Sequence, residues 1–218
     1  MLLLRDLSYS HEDNIIYQLV GLMEWIMTTM TRERLLGEAE HLMREKGYSA
    51  FSYADLSKII GITKPSIHHH FPTKDLLGEQ VVRQALVDTR ATFDEILATK
   101  SSPAEQIAAY VDLFVQSYRA SLLPLCCALS AETANLPPNI IEQTSLYFDM
   151  QISWLTGIVE RGIAAGEFST GIGATDAALM IINLCEGASV VARATGRAEV
   201  FSNSLKHILM FLNLKTGA

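Results

Sequence analysis

The chain has 218 residues, about half of them hydrophobic, with 17 Lys and Arg against 24 Asp and Glu for a formal net charge of -7. This is too apolar for a disordered chain and too acidic for a protein that coats nucleic acid over its whole surface. No run of about 18 uncharged apolar residues suggests a membrane span, and the opening MLLLRDLSYSHEDN does not read as a secretory signal.

Charge is unevenly distributed. Residues 31–90 hold nine basic and eight acidic side chains together with His41, His68, His69 and His70, whereas residues 91–218 hold seven basic and twelve acidic ones. A phosphate-bearing partner therefore meets the 31–90 block most easily. The three cysteines, Cys126, Cys127 and Cys185, form no disulfide framework and point to a reduced, cytoplasmic protein.

In chain order, residues 1–30 read as a separate segment with a short amphipathic helix over 15–29. The run Met27 to Thr31 looks like a chain start, so this segment is either a family-specific extension or follows from an early start. From Thr31, a candidate cap, Leu35, Leu36, Ala39, Leu42 and Met43 recur at helical spacing to Lys46, and Gly47 ends that helix. Ser52 caps a second helix that Gly61 stops. Thr63 caps a short third helix with Pro65 in its first turn, and Thr73 caps a long fourth ending near Leu97. Further helices are expected at about 103–121, 123–134, 138–165, 173–194 and 199–213, separated by prolines and glycines. No sustained period-two alternation occurs, so the expected fold is all-α. A three-helix unit over 31–77 would be followed by a larger helical unit over 78–218.

Residues 52–70 are the most informative stretch. Two short helices flank the tight turn Gly61-Ile62-Thr63, and Ala54, Leu56, Ile59, Ile62 and Ile67 supply apolar contacts for a tri-helical core. This is the pattern of a helix-turn-helix whose second helix enters a major groove. Thr63, Lys64, Ser66 and His68 bring hydroxyl, ammonium and imidazole groups suited to phosphates and base edges. The three consecutive histidines do not make a metal site, because His68 and His70 point in different directions and no acid or thiol lies at ligand spacing. No cofactor motif, phosphate loop, nucleophile elbow, CxxC or HExxH is present, so an enzyme is not expected.

Residues 34–81 resemble the DNA-binding domain of the TetR family (TetR/AcrR type) of transcriptional repressors. The resemblance rests on Gly47-Tyr48, on Phe51-Ser52, on the turn Gly61-Ile62, and on His70-Phe71 followed by Thr73-Lys74. One departure is His68, where the family usually has an aromatic residue, most often Tyr. The resemblance implies a homodimer on a palindromic double-stranded DNA operator. It places Thr63, Lys64, Ser66, His68 and His69 on the DNA-facing helix, with Tyr53, Thr73 and Lys74 as flanking phosphate clamps. His70 and Phe71 would buttress the corner.

For the C-terminal half the resemblance is architectural. Leu125-Cys126-Cys127-Ala128-Leu129 looks like a subgroup that senses electrophiles or oxidants through a cysteine, with Cys126 at the sensing position and Cys127 replacing a glycine. Pro124 would place Cys126 in the first turn of a helix, where the dipole stabilises a thiolate; plain core packing is the competing view. Cys185, in an apolar run, reads as packing. A small-molecule pocket would draw on Phe114, Tyr118, Arg119, Tyr147, Phe148, Gln151 and Trp154. The apolar faces of the last two helices, with Leu184, Ala188, Leu205, Leu209 and Leu212, would form the dimer interface. The competing function is a helix-turn-helix activator or architectural factor without an effector.

Overall fold

A computed structural model describes residues 11–214. Their α-helices are α1 (His11–Lys46), α2 (Tyr53–Ile60), α3 (Lys64–His70), α4 (Lys74–Thr99), α5 (Pro103–Arg119), α6 (Leu125–Ser130), α7 (Pro138–Ala164), α8 (Ala174–Thr195) and α9 (Glu199–Phe211). A 3-10 turn at Thr133–Asn135 lies between α6 and α7, and no strand occurs among the described residues.

Local chemistry sets the element ends. Ser52 and Asp55 form a reciprocal capping box at the start of α2, and Gly61 closes that helix at φ 79°, a left-handed conformation that glycine adopts without steric penalty. Thr63 and Thr73 cap α3 and α4 by accepting hydrogen bonds from the Ser66 and Leu76 amides. A second capping box, Ser102 with Glu105, starts α5.

Two elements differ from the sequence expectation. The first helix does not start at Thr31. Helix α1 runs unbroken from His11, and the Thr31 hydroxyl donates to the Met27 carbonyl one turn earlier at 2.8 Å. No glycine or proline lies between Gly21 and Gly37 to interrupt it, so the separate 15–29 helix merges with its neighbour. Residues 1–10 of the expected N-terminal extension lie outside the described residues. Leu19, Leu22, Met23, Ile26, Met27 and Met30 are exposed along the added length. The second difference is the expected 123–134 helix, which shrinks to the six residues of α6. The Thr133 hydroxyl takes up the Ser130 carbonyl, and the approach to Pro137 forces Leu136 into an extended conformation.

Two clusters of buried side chains form the core. The first joins α1 to α4 through Leu35, Met43, Leu56, Ile67, Phe71, Leu77 and Val81, and it also takes in Leu125, Leu129 and Ile140 from α6 and α7. The N-terminal helices therefore pack directly on α6 and α7. At that junction α4 and α7 approach so closely that a Cβ on Gly78 would lie 2.5 Å from Ile140 Cδ1 and 2.9 Å from Tyr48 Cε2. The second cluster joins α4, α5, α7, α8 and α9 around Ile107, Tyr110, Leu155, Ile158, Ile181, Cys185 and Ile208.

Helix α8 is long and apolar enough by composition to cross a membrane, contrary to the sequence expectation that no segment is. Its Ala177, Ala178, Ile181, Cys185 and Ala192 are instead fully buried in the second cluster, as in the central helix of a bundle.

Candidate nucleic-acid interface and effector cavity

Helix α3 is anchored by the single buried side chain Ile67, which leaves the rest of a short helix to solvent. Lys64, His68 and His69 are exposed, and Ser66 is half-buried. Thr63 is also exposed; its oxygen accepts the Ser66 amide, and its hydroxyl proton stays available to a phosphate. His68 is oriented by a 3.1 Å hydrogen bond from Nδ1 to the Pro72 carbonyl and by an edge contact with Tyr53, 4.8 Å between ring centroids. With Nδ1 so engaged, Nε2 donates only when the ring is an imidazolium.

Two expected phosphate clamps have other work. The Tyr53 hydroxyl donates to the Phe71 carbonyl at 2.7 Å inside the domain, and burial pushes its phenol up to about 12. Tyr53 thus ties the start of α2 to the end of α3. Lys74 sits with Nζ 4.5 Å from both the Tyr48 and the Phe51 ring centroids and donates toward the Ser49 carbonyl. Its ammonium clamps the turn after α1, and burial lowers its pKa from the ordinary lysine value. Thr73 is exposed at the cap of α4. His70 is half-buried, with burial disfavouring its charged form, and Phe71 is buried under the Arg32 guanidinium.

A cavity of about 470 Å³ lies between α1, α4, α5, α6, α7 and α8. Phe93, Tyr110, Phe114 and Tyr147 give it aromatic walls, and Cys126 and Gln151 also line it. Of the residues expected from sequence, Phe114, Cys126, Tyr147 and Gln151 come together here. Trp154 stands one layer back, stacked on Phe93 at 4.0 Å and 17°. Tyr118 and Arg119 instead border a separate hollow with Arg193, Tyr118 packing on Phe201. Cys127 and Phe148 do not line the cavity.

Sequence reasoning missed Glu40, Arg44, Asp88 and Glu186, which bring charge to the cavity. Arg44 and Glu40 lie on the first helix, assigned wholly to DNA binding, and Glu186 sits inside an apolar run. No spacing signal links them. The polar groups pair closely: Tyr110 donates to Gln151 Oε1 at 2.9 Å, and Thr89 and Tyr147 share a 2.6 Å hydrogen bond. Arg44 spends its fork on the Leu123 carbonyl, Glu40 and Ser117 Oγ. Oε2 of Glu186 is buried with no hydrogen-bond partner, and desolvation raises this carboxyl to about 7.

The last turn of α1 is wired to the loop between α5 and α6. Arg44 donates to the Leu123 carbonyl and its own carbonyl accepts the Leu123 amide, while Arg193 of α8 donates to the carbonyls of both Glu45 and Ser121.

The cysteines meet an environment opposite to the thiolate-stabilising one expected. Cys126 is 1% exposed in a six-residue helix, and burial pushes its thiol well up. Cys127 is pushed up to about 12 by burial and by the neighbouring Glu186 carboxyl, with which it hydrogen-bonds. The helix-start effect on a thiol is outweighed here by desolvation and by a like-signed neighbour. A rise to about 12 cuts the thiolate fraction at neutral pH roughly thousandfold, and the greater intrinsic reactivity of a more basic thiolate returns part of that. Alkylation of native Cys127 by N-ethylmaleimide should therefore be about 30-fold slower than in the urea-unfolded chain, and that of Cys126 slower still. Peptide mass spectrometry after timed quenching checks this, and equal native and unfolded rates would reject it.

The expected dimer face also changes. Ala188 and Leu212 are buried within the chain and are not free to meet a partner, while Leu184, Leu205 and Leu209 are half-buried. The outward apolar side chains are Leu179, Met180, Val190 and Val191 on α8 and Met210 on α9. Among the described residues no group of His, Cys, Asp and Glu is placed to hold a metal ion.

The tri-helical unit with its exposed α3, mounted on a helical bundle that holds a half-open cavity, defines a helix-turn-helix regulator. The model of bacterial regulatory proteins of the tetR family matches residues 35–81. A crystal structure of a TetR-family regulator from Agrobacterium tumefaciens is 31% identical, covers 87% of this chain and 100% of its own, and superposes with a TM-score of 0.81. The chain belongs to the TetR family, whose members are DNA-binding transcriptional regulators. It is 32% identical to the transcriptional repressor KstR2 of Mycolicibacterium smegmatis over 89 residues, 41% of this chain and 42% of that protein. It is 26% identical to KstR2 of Rhodococcus jostii over 65% of this chain and 69% of that one. The reduced form of NemR from E. coli superposes with a TM-score of 0.76 at 23% identity, over 86% of this chain and 99% of that one, a likeness of fold alone.

Proposed function

We propose that the protein is a cytoplasmic transcriptional repressor that binds a palindromic operator as a homodimer and is released by a small molecule in the aromatic cavity. Residues 31–77 form the DNA-reading unit and 78–218 the effector-binding and dimerising unit. The observation that carries this reading is Arg44, which belongs to the first helix of the DNA-binding unit, lines the cavity, and hydrogen-bonds the Leu123 carbonyl. A ligand that displaces this side chain acts on α1 directly. Helix α4, packed on both α1 and α7, provides a parallel route to the same unit. If the occupied cavity fits only one of two helix arrangements, its ligand shifts the balance away from the DNA-binding one.

Repression accords with the KstR2 relatives, which are transcriptional repressors. The cavity favours release by a ligand over release by thiol modification, since the cysteines beside it are buried or held protonated. An activator without an effector would have no use for a cavity with an unpaired carboxyl oxygen.

Genome-wide selection of bound DNA followed by footprinting tests the proposal. A protected palindrome, bound with an affinity that falls steeply with salt, is expected. Protection of one unrepeated half-site, or salt-independent binding, would overturn it.

A further inference from the structure

We infer that the effector is a lipophilic cation, an aromatic ammonium or a similar delocalised cation, anchored by the Glu186 carboxylate. The inference rests on the proposed effector role of the cavity and names the class of its occupant.

Size and walls fix the first half of that class. The cavity of about 470 Å³ is bounded by the rings of Phe93, Tyr110, Phe114 and Tyr147, which suit a flat hydrophobic ligand and present π faces to a positive charge. Charge fixes the second half. Three carboxyls, Glu40, Asp88 and Glu186, face one guanidinium, Arg44. Arg44 has little left for an anionic ligand, since Nε, Nη1 and Nη2 already donate to Leu123, Glu40 and Ser117. Tyr110 donates to Oε1 of Gln151, and Thr89 and Tyr147 share a hydrogen bond. Among the lining residues, the buried side-chain atom left without a partner is Oε2 of Glu186. A buried carboxylate oxygen with no donor is costly, and a bound cation supplies the missing charge.

The empty cavity and the occupied one then differ in proton content. Burial raises the Glu186 carboxyl to about 7, so at neutrality the empty site holds a proton part of the time. A cation binds the ionised form and expels that proton, so its affinity must rise with pH through this range. The other titratable and charged groups facing this space are Glu40 and Arg44 of α1, Asp88 of α4, Tyr110 of α5, Cys126 of α6 and Tyr147 of α7, while Cys127 and Cys185 neighbour Glu186 from outside the lining. Burial pushes the phenols and thiols among them upward, away from neutrality, so they do not add to the change.

The test is calorimetric titration of the full chain with three probes of one shape: (2-naphthylmethyl)trimethylammonium, neutral 2-naphthalenemethanol and anionic 2-naphthoate. The permanently charged ammonium has no titration of its own. We expect it to bind at least about tenfold more tightly than the alcohol, with the carboxylate weakest. Its affinity should rise about tenfold from about pH 6 to about pH 8, against no change for the alcohol. Glu186→Gln should abolish both the preference and the pH dependence while leaving the affinity for the alcohol unchanged. Equal binding of ammonium and alcohol by the unaltered chain, or tighter binding of the carboxylate, overturns the inference without recourse to any variant. Retention of the cation preference by a folded Glu186→Gln chain overturns it too. Operator release is read in a separate titration. Cation binding that leaves the operator complex intact supports the ligand class and sinks the effector role, whereas release by the neutral or anionic probe alone sinks the class and keeps the role.

Discussion

Charged substitutions on the outward face of α8, Met180→Glu together with Val191→Glu, are expected to convert the proposed dimer into a monomer and to weaken operator binding about a hundredfold or more. Both side chains are exposed in the single chain, so the substitutions create no cavity and should leave its helicity and melting within the range of ordinary surface changes. In the dimer the same positions would bury unpaired carboxylates, a cost of several kcal/mol each. Gly187 lies on this face with open space around it, so Gly187→Leu adds bulk only where a second helix crosses. Loss of the dimer removes the second recognition helix, and with it the gain from two linked half-sites, typically two to four orders of magnitude. Light scattering reads the first effect as a fall from twice 24.1 kDa to 24.1 kDa. Fluorescence anisotropy on the mapped palindrome reads the second. A double variant that stays dimeric would move the interface off α8.

Lys64→Ala should act almost as strongly, and by a different route. Lys64 is exposed at the first position of α3 and its ammonium makes no hydrogen bond among the described residues, so its removal costs the fold little. A charge-assisted contact to phosphate contributes about 1.5–3 kcal/mol, and a symmetric dimer makes it twice. The expected loss is therefore about 10²–10⁴ in affinity, roughly uniform across operator sequences, with the slope of log affinity on log salt reduced by about 2 per dimer. Ser66→Ala should change the ranking of operator variants more than the mean affinity. Lys74→Ala makes the useful contrast. Its ammonium is held against Tyr48 and Phe51, so the variant should lose melting temperature along with DNA affinity, while Lys64→Ala loses affinity alone. Titrations at several salt concentrations, paired with thermal melts, check this; an unchanged salt slope for Lys64→Ala would remove Lys64 from the phosphate contacts.

The parts of the fold legible in the sequence were those set by short-range chemistry. Ser52, Thr63, Thr73 and Ser102 cap helices, and Gly61 ends one, because each acts on amides or carbonyls a few residues away. The start of α1 was misplaced for the same reason. Thr31 has the chemistry of a cap, but nothing in the preceding residues breaks the helix, and its hydroxyl turns back to Met27. Helix α3 was readable as a short, exposed helix because its cap and its one buried side chain, Ile67, lie within a few consecutive positions. The partners that hold Tyr53 and Lys74, the Phe71 carbonyl and the Tyr48 and Phe51 rings, were not readable because they are reached only through tertiary packing. The cavity was half legible: aromatic residues on α5 and α7 announce a hydrophobic site, but Glu186 and Arg44 converge on it from helices 142 positions apart in the chain.

The unbroken α1 gives the molecule a lever. Thirty-six residues of helix extend about 54 Å, with Arg44 at the cavity end and the packing face for α2 farther along the same rod. A rod of this kind does not absorb a displacement at one end; it turns. How far it turns is set by its fastenings, the bonds from Arg44 to Leu123 and Ser117 and from Arg193 to Glu45 and Ser121. Ser117, Ser121, Leu123 and Arg193 belong to the C-terminal unit, away from the recognition helix. Under the proposed release mechanism they would act as a clutch, so that the gain of the switch could be tuned while the contacts that read DNA stay unchanged.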